Sequence, residues 1–281
     1  MTLLDEIKYQ QAEQYRAILR DKIPPGAVVP AHSEDGHFYL VDKLGIKLPS
    51  VTGALQVIKD PSIQNWKMNR ALEYAWDVLS RTDAFDIPLL QKTIAEAKNA
   101  PQIEFEDAGS IGKQIHDVRQ RYFQNWIDTG VRPDHSTYLT DSQDPRIWSA
   151  LRAVSKFCDD TGYIPVATEV LVYSEKLGLA GTLDDLGVMD GHLVLCDLKS
   201  SNQHKSQYFL QIALYYLMLK EITGLKPKDC FVLKVSKENG SYSLEYLKDM
   251  RKLVSYAKAI AKVNEGMKFI NEIRKHDKIK L

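Results

Sequence analysis

Apolar side chains recur at helical spacing from the start of the chain. Leu3, Leu4, Ile7, Tyr15, Ile18 and Leu19 predict an amphipathic N-terminal helix. Proline and glycine punctuate the stretch from 24 to 50, which predicts loop and short strands. Ser50 or Thr52 is placed to cap a following helix, and Pro61 separates it from a second one through Trp66, Leu72 and Trp76. A short helical stretch over 87–100 completes a mostly helical N-terminal region, 1–106.

From about residue 107 the pattern changes. Ile111, Ile115, Val118, Tyr122 and Trp126 line one side of a helix over 109–127, and another helix follows Pro145. Three β-rich runs come next, at 168–175, 179–189 and 192–199, the last two joined by the hairpin signal Asp190-Gly191. A helix over 207–222 precedes two strands that meet at Asn239-Gly240. In the final helix Leu253, Ile260 and Met267, flanked by Tyr256, Val263 and Ile270, read as a packing face. The order helix, three strands, helix, strand pair, helix predicts an α/β core over 107–281.

Composition narrows the class without naming a function. The chain has 281 residues, 44% of them hydrophobic and 26% charged, enough to bury a full core. Lysine plus arginine balance aspartate plus glutamate at 37 each, so any contact with a nucleic acid must rest on a local patch. Cys158, Cys196 and Cys230 are scattered and form no CxxC pair, which argues against a disulfide framework or a structural zinc. Cys196 and Cys230 sit in apolar runs and read as core residues. No apolar run is long enough to span a bilayer, and the acids of the first helix do not fit a secretory or transit signal. The expected compartment is therefore the cytoplasm.

Candidate chemistry lies on the strand pair. Asp184 stands in GTLDDLG, and Asp197 and Lys199 stand in CDLKSS at the end of the neighbouring strand. Apolar residues flank them on both faces, and charges inside such a run are costly unless paired with each other or with a metal. Asp185 is a rival to Asp184, because adjacent strand residues face opposite ways. Gly181, three residues before Asp184, would permit close approach of backbone or ligand. Gln211 and Tyr215 share one helix face, His116 lies on the upstream helix and Glu169 opens the first strand. The other six histidines, His32, His37, His135, His192, His204 and His276, lack such surroundings and read as solvated.

Together GTLDDLG, DLKSS and QIALYY, preceded by GKQIH, resemble the RecB-like branch of the PD-(D/E)XK nuclease superfamily. That branch carries GxxxH, GxxD, (D/E)xK and QxxxY, and includes mitochondrial genome maintenance and phage-encoded exonucleases. Lys113 stands where the family often has threonine. The resemblance implies a restriction-endonuclease-like core, a mixed central sheet flanked by helices. It also implies roles: His116, Asp184, Asp197 and the Leu198 carbonyl would ligate Mg²⁺ or Mn²⁺. Lys199 would orient or activate the attacking water, and Gln211 and Tyr215 would brace the site or touch the DNA. Hard carboxylate oxygens suit Mg²⁺ or Mn²⁺, and the imidazole favours accepting Mn²⁺. Three scattered cysteines cannot supply the four-thiolate iron–sulfur cluster that several relatives hold.

The resulting expectation is a metal-dependent DNA exonuclease acting on single strands or free ends, in DNA repair or recombination. A structure-specific or restriction-like endonuclease on the same core is the alternative, and an inactive nucleic-acid-binding protein is the rival from another class. Trp66, Tyr74 and Trp76, interleaved with Lys67, Arg70 and Arg81, could stack along a strand but read first as core.

Overall fold

The β-rich runs gather into one sheet because their hairpins and crossover leave no other short route. The computed structural model describes residues 3–33, 36–58, 61–82, 86–140, 143–201 and 206–278. A helix, α1 (Leu3–Lys22), leads into three antiparallel strands, β1 (Val28–Ser33), β2 (Gly36–Val41) and β3 (Ile46–Pro49). Four helices follow: α2 (Val51–Ala54), α3 (Pro61–Ser80), α4 (Ile87–Thr129) and α5 (Pro145–Thr161). Next come β4 (Ile164–Ser174), β5 (Leu179–Met189), β6 (His192–Lys199), α6 (Ser206–Thr223), β7 (Asp229–Val235), β8 (Tyr242–Tyr246) and α7 (Met250–Lys278). The five-stranded sheet has the order β4-β5-β6-β7-β8, with β6 and β7 parallel and the other pairs antiparallel. This is the expected mixed sheet flanked by helices.

Local chemistry explains the boundaries. Asp190 and Gly191 both take positive φ, 49° and 74°, the backbone that a two-residue hairpin needs. Of the two candidate caps, Ser50 is the one used: its hydroxyl accepts the Gly53 N–H at 3.0 Å. Asp144 caps α5 by accepting the Arg146 N–H at 2.8 Å, with Pro145 at the first turn. At the other end Gly162, at φ 61°, returns its N–H to the Cys158 carbonyl.

Ile147, Leu151, Val154 and Phe157 of α5, and Ile212, Leu214 and Met218 of α6, are buried against the sheet. Arg16 reaches in from α1 to the β4 carbonyls of Pro165 and Val166, beside the register shift of β4. A second, small core under the N-terminal sheet joins Val28, Tyr39, Val41 and Leu48 to Ala180 of β5. All three cysteines are buried and free.

The chain divides into two compact units, Met1–Val57 with Ile115–Leu281, and Ile58–Gln114. Within the smaller unit, Tyr74 donates to Glu96 at 3.0 Å and Arg70 pairs with Glu104 at 3.5 Å. No residue of α3 is buried, and Trp76 is 75% exposed, so the core reading of that tryptophan fails.

Two further expectations change. The helical stretches over 87–100 and 109–127 are one helix of 43 residues, with Pro101 inside it. Strong helix formers on both sides of Pro101 outweigh its missing donor. Among the described residues of α7 the fully buried positions are Ala257 and Ala261, with Leu253 and Ile260 half-buried beside them, whereas Tyr256, Val263, Met267 and Ile270 stand about half exposed, so only the first part of the stripe packs. Small side chains bring α7 close to its support and turn the larger ones outward. No described helix is long and apolar enough to cross a membrane.

Candidate active site

The site begins where two ladders open. β5 and β6 pair from Met189↔His192 as far as Asp185↔Cys196, and one step further Asp184 stands opposite Asp197. Instead of continuing the ladder, the Asp184 carboxylate accepts the Leu198 N–H at 2.8 Å. On the other side β4 pairs with β5 at Thr168↔Asp185 and Val170↔Leu183, leaving Glu169 beside Asp184. Glu169 has φ 51°, a left-handed backbone that a non-glycine residue rarely adopts and that tends to mark functional positions. It therefore lies mid-strand rather than opening β4 as the sequence suggested.

Helix α4 supplies the third side. His116 Nδ1 lies 3.8 Å from Asp184 Oδ1 and 3.9 Å from Glu169 Oε1. One ligand atom from each of His116, Glu169 and Asp184 falls within 4.8 Å of the others, a spacing that can hold a metal ion. Asp197 stands outside this trio. Its carboxylate is fully buried and faces Lys199 Nζ at 2.7 Å from Oδ2, and neither oxygen accepts a well-directed hydrogen bond among the described residues.

Sequence reasoning missed Arg119, three residues after His116 and so on the same helix face. Its guanidinium is wholly buried and bonds both Asp185 and Glu169. Asp185 thus turns toward Arg119 while Asp184 turns toward His116, the alternation a strand imposes on adjacent residues. The available signal was the i, i+3 spacing of His116 and Arg119, which no motif marks.

Electrostatics follow from burial and neighbours. Burial pushes Asp197 up to about 6, with Lys199 pulling down and Asp184 pushing up. Burial likewise raises Asp185 to about 6 against the pull of Arg119. For Asp184 burial also acts upward, but His116, Lys199, Arg119 and the Leu198 N–H together hold it below its ordinary value. Burial would lower Lys199, yet Asp197 and Asp184 raise it, so its amine stays an ammonium. In His116 burial is likewise outweighed, by Asp184 and Glu169, and its pKa is raised.

The supporting residues also fall into place. A side chain at Gly181 would meet Tyr215 Cε1 at 2.7 Å and Val51 Cγ2 at 3.3 Å, so the missing side chain admits the Tyr215 ring. Gln211 donates to the Tyr215 hydroxyl at 3.1 Å. Lys199 Nζ sits 5.1 Å over the Tyr208 ring, and the Tyr208 hydroxyl lies 2.9 Å from that of Ser201. Neither Tyr208 nor Ser201 was singled out from sequence.

The remaining histidines divide. His192 is not solvated: its Nε2 lies 2.7 Å from Asp229 Oδ2, and it is largely buried. The His37 ring packs tilted against Tyr39, with centroids 4.8 Å apart, and His135 lies 3.6 Å from Asp134. His204 and the side chains of His32 and His276 lie outside the described residues.

The donor set fits a divalent cation. Four carboxylates, Glu169, Asp184, Asp185 and Asp197, face two permanent cations, Arg119 and Lys199. Two negative charges are left uncompensated, and burying them without a counter-ion is costly. An imidazole and carboxylate oxygens suit Mg²⁺ or Mn²⁺.

Comparison with known proteins agrees with this geometry. The sequence profile of the PD-(D/E)XK nuclease superfamily matches residues 91–278, which take in every one of these groups. No curated protein sequence matches the chain. Among solved structures, an alkaline exonuclease (LHK-Exo) from Laribacter hongkongensis is similar at 16% identity and a TM-score of 0.36, over 59% of this chain and 91% of that one. The protein SSO0001 is similar at 13% identity and a TM-score of 0.25, over 53% and 72%. Both TM-scores are low, and the sequence profile alone assigns the chain.

Proposed function

The chain belongs to the PD-(D/E)XK nuclease superfamily, and on that premise we propose that it is a divalent-metal-dependent DNA exonuclease, cleaving phosphodiester bonds in single strands or at strand ends. The observation that carries the reading is the convergence of His116, Glu169 and Asp184 beside the Asp197–Lys199 pair. A buried, partly uncompensated acidic cluster has no use in a purely structural strand end. The preference for DNA ends rests on the GxxxH, GxxD, DxK and QxxxY pattern, and so does a place in DNA repair or recombination.

A divalent cation in this cluster supplies Lewis acidity toward the oxygens of a phosphodiester. His116, Glu169 and Asp184 would hold it, with Asp197 and the Leu198 carbonyl completing the set. Asp184 is aimed by the Leu198 N–H, and Glu169 by Arg119. Lys199 keeps its proton and so acts as a fixed positive charge, not as a base. Its ammonium holds the attacking water or the phosphoryl oxygen in place and offsets charge that develops there. Tyr215, seated on Gly181 and bonded by Gln211, walls the site beside Asp184 and Asp197.

The test is incubation with end-labelled linear DNA and with covalently closed single-stranded circles, with and without Mg²⁺ or Mn²⁺. The expected result is progressive loss of linear DNA only with added metal, while circles survive. Full activity in excess chelator would sink the metal reading, and rapid cutting of circles would turn the proposal to an endonuclease.

A further inference from the structure

The balanced net charge of the chain hides a local concentration. Helix α7 carries eight lysines and arginines against three acids, so the rest of the chain is correspondingly acidic. Two of those lysines, Lys258 and Lys262, are one turn apart and line a cavity of about 630 Å³. Lys220, near the end of α6, and Lys176, in the turn between β4 and β5, line the same cavity. All four are exposed, and none makes an ion pair or hydrogen bond among the described residues. Two acids share the lining, Glu221, which accepts the Ser174 hydroxyl at 2.9 Å, and Glu265, so four ammonium groups face two carboxylates and the cavity carries a net positive charge. Four free like charges brought together from three elements repel one another, and an anion relieves that repulsion.

We infer that this lysine-lined cavity between α6, α7 and the β4–β5 turn binds the phosphate backbone of the nucleic-acid strand away from the reacting phosphodiester. The inference deepens the nuclease reading and rests on it. From Leu179, at the turn, to Asp184 is five residues of strand, roughly 17 Å, a span of a few nucleotides at about 3.4 Å of axis per phosphate. A contact at that distance grips the strand while its end is cut. Ammonium groups on flexible stems suit phosphates without reading bases, as a sequence-indifferent enzyme requires.

The experiment measures binding of labelled oligodeoxythymidines of 4 and 24 nucleotides in chelator, at several salt concentrations. The parent is compared with K176Q/K220Q/K258Q/K262Q and with the charge-keeping K176R/K220R/K258R/K262R. Matching thermal unfolding of the three proteins establishes that the exposed substitutions leave the fold intact. The glutamine variant should lose at least tenfold in affinity for the 24-mer and little for the 4-mer. Its salt slope should fall by roughly 2 to 3, at about 0.7 for each phosphate of a single strand that is no longer neutralised. The arginine variant should keep the parental slope. With metal restored, the glutamine variant should hydrolyse the 4-mer at the parental rate.

Unchanged affinity and slope in the glutamine variant would overturn the inference while leaving the nuclease reading intact. Displacement of the 24-mer by poly-glutamate as readily as by DNA would assign the cavity to acidic polypeptides instead. Loss of slope in a protein that cuts no DNA would keep the phosphate site and reject the nuclease.

Discussion

Arg119 is a buried cation and Lys199 a half-buried one, and each pairs with a different part of the acidic cluster. Lys199 follows Asp197 by two residues and faces the same side, so under the proposed function it would touch the reacting groups, whereas Arg119 bonds Glu169 and Asp185 and would act through them. Replacing Lys199 by alanine should lower turnover by roughly two to four orders of magnitude, the scale of a lost charge-stabilising group. Metal affinity, measured by Mn²⁺ titration, should stay near the parental value, and parental turnover in a folded K199A protein would overturn the assignment. Arg119→Met instead strands the buried Asp185 carboxylate and the half-buried Glu169, and should cost about 3–5 kcal/mol of stability in urea unfolding. Adding Asp185→Asn should recover part of that loss, since the stranded charge is then gone; strict additivity would mean that the two residues are not coupled. The sequence announced Lys199 through its DxK spacing but said nothing of Arg119. A partner 66 residues away is visible only after α4 and β5 have met. The same meeting separates Asp184 from Asp185, which no property of either residue could do.

Elements were legible wherever one local rule decided them. The strands, the Asp190-Gly191 turn and the order of helices followed from periodicity and turn chemistry. The continuity of α4 through Pro101 and the outward turn of the later part of the α7 stripe did not, because each depends on a balance between competing terms. Helix α5 shows the simpler case, and a pH dependence follows from it. The Arg146 side chain and backbone N–H hold the Asp144 carboxyl down, at about 2. Because the folded value lies below the unfolded one, the cap's contribution is complete above the ordinary carboxylate value of about 3.8. It is lost as pH falls toward 2. Asp144→Ala should therefore unfold at a lower temperature than the parent at pH 7, with the gap closing between about pH 4 and pH 2. Thermal melts of both proteins across that range check it, and a gap that stays constant would remove the cap from the account.

At the scale of the molecule, the mixed sheet and its helices were foreseen, and the charge asymmetry concentrated in α7 was not, since a net of zero conceals it. Cys196 and Cys230 were read as core, Cys158 is buried as well, and burial makes all three chemically silent. It raises the Cys158 and Cys196 thiols far above the ordinary range and pushes Cys230 up to about 12. A soluble disulfide reagent at about pH 8 should thus label none of the three in the native protein and all three in denaturant. Prompt labelling of one thiol without unfolding would show that its part of the core opens.

The glycines of β5 carry one more consequence, for how the strand finds its place during folding. A strand that slipped by one residue would still deliver an aspartate to one polar position, Asp185 toward His116 or Asp184 toward Arg119. Tandem acids therefore discriminate poorly between registers. Space discriminates well, because a slip either way sets Ala180 or Thr182 where Gly181 admits Tyr215. It also sets Leu186 or Val188 where Gly187 passes under Tyr163, whose ring atoms would lie 2.2 Å from any Cβ. Two absent side chains thus act as alignment marks, and the proposed metal ligands inherit their position from them.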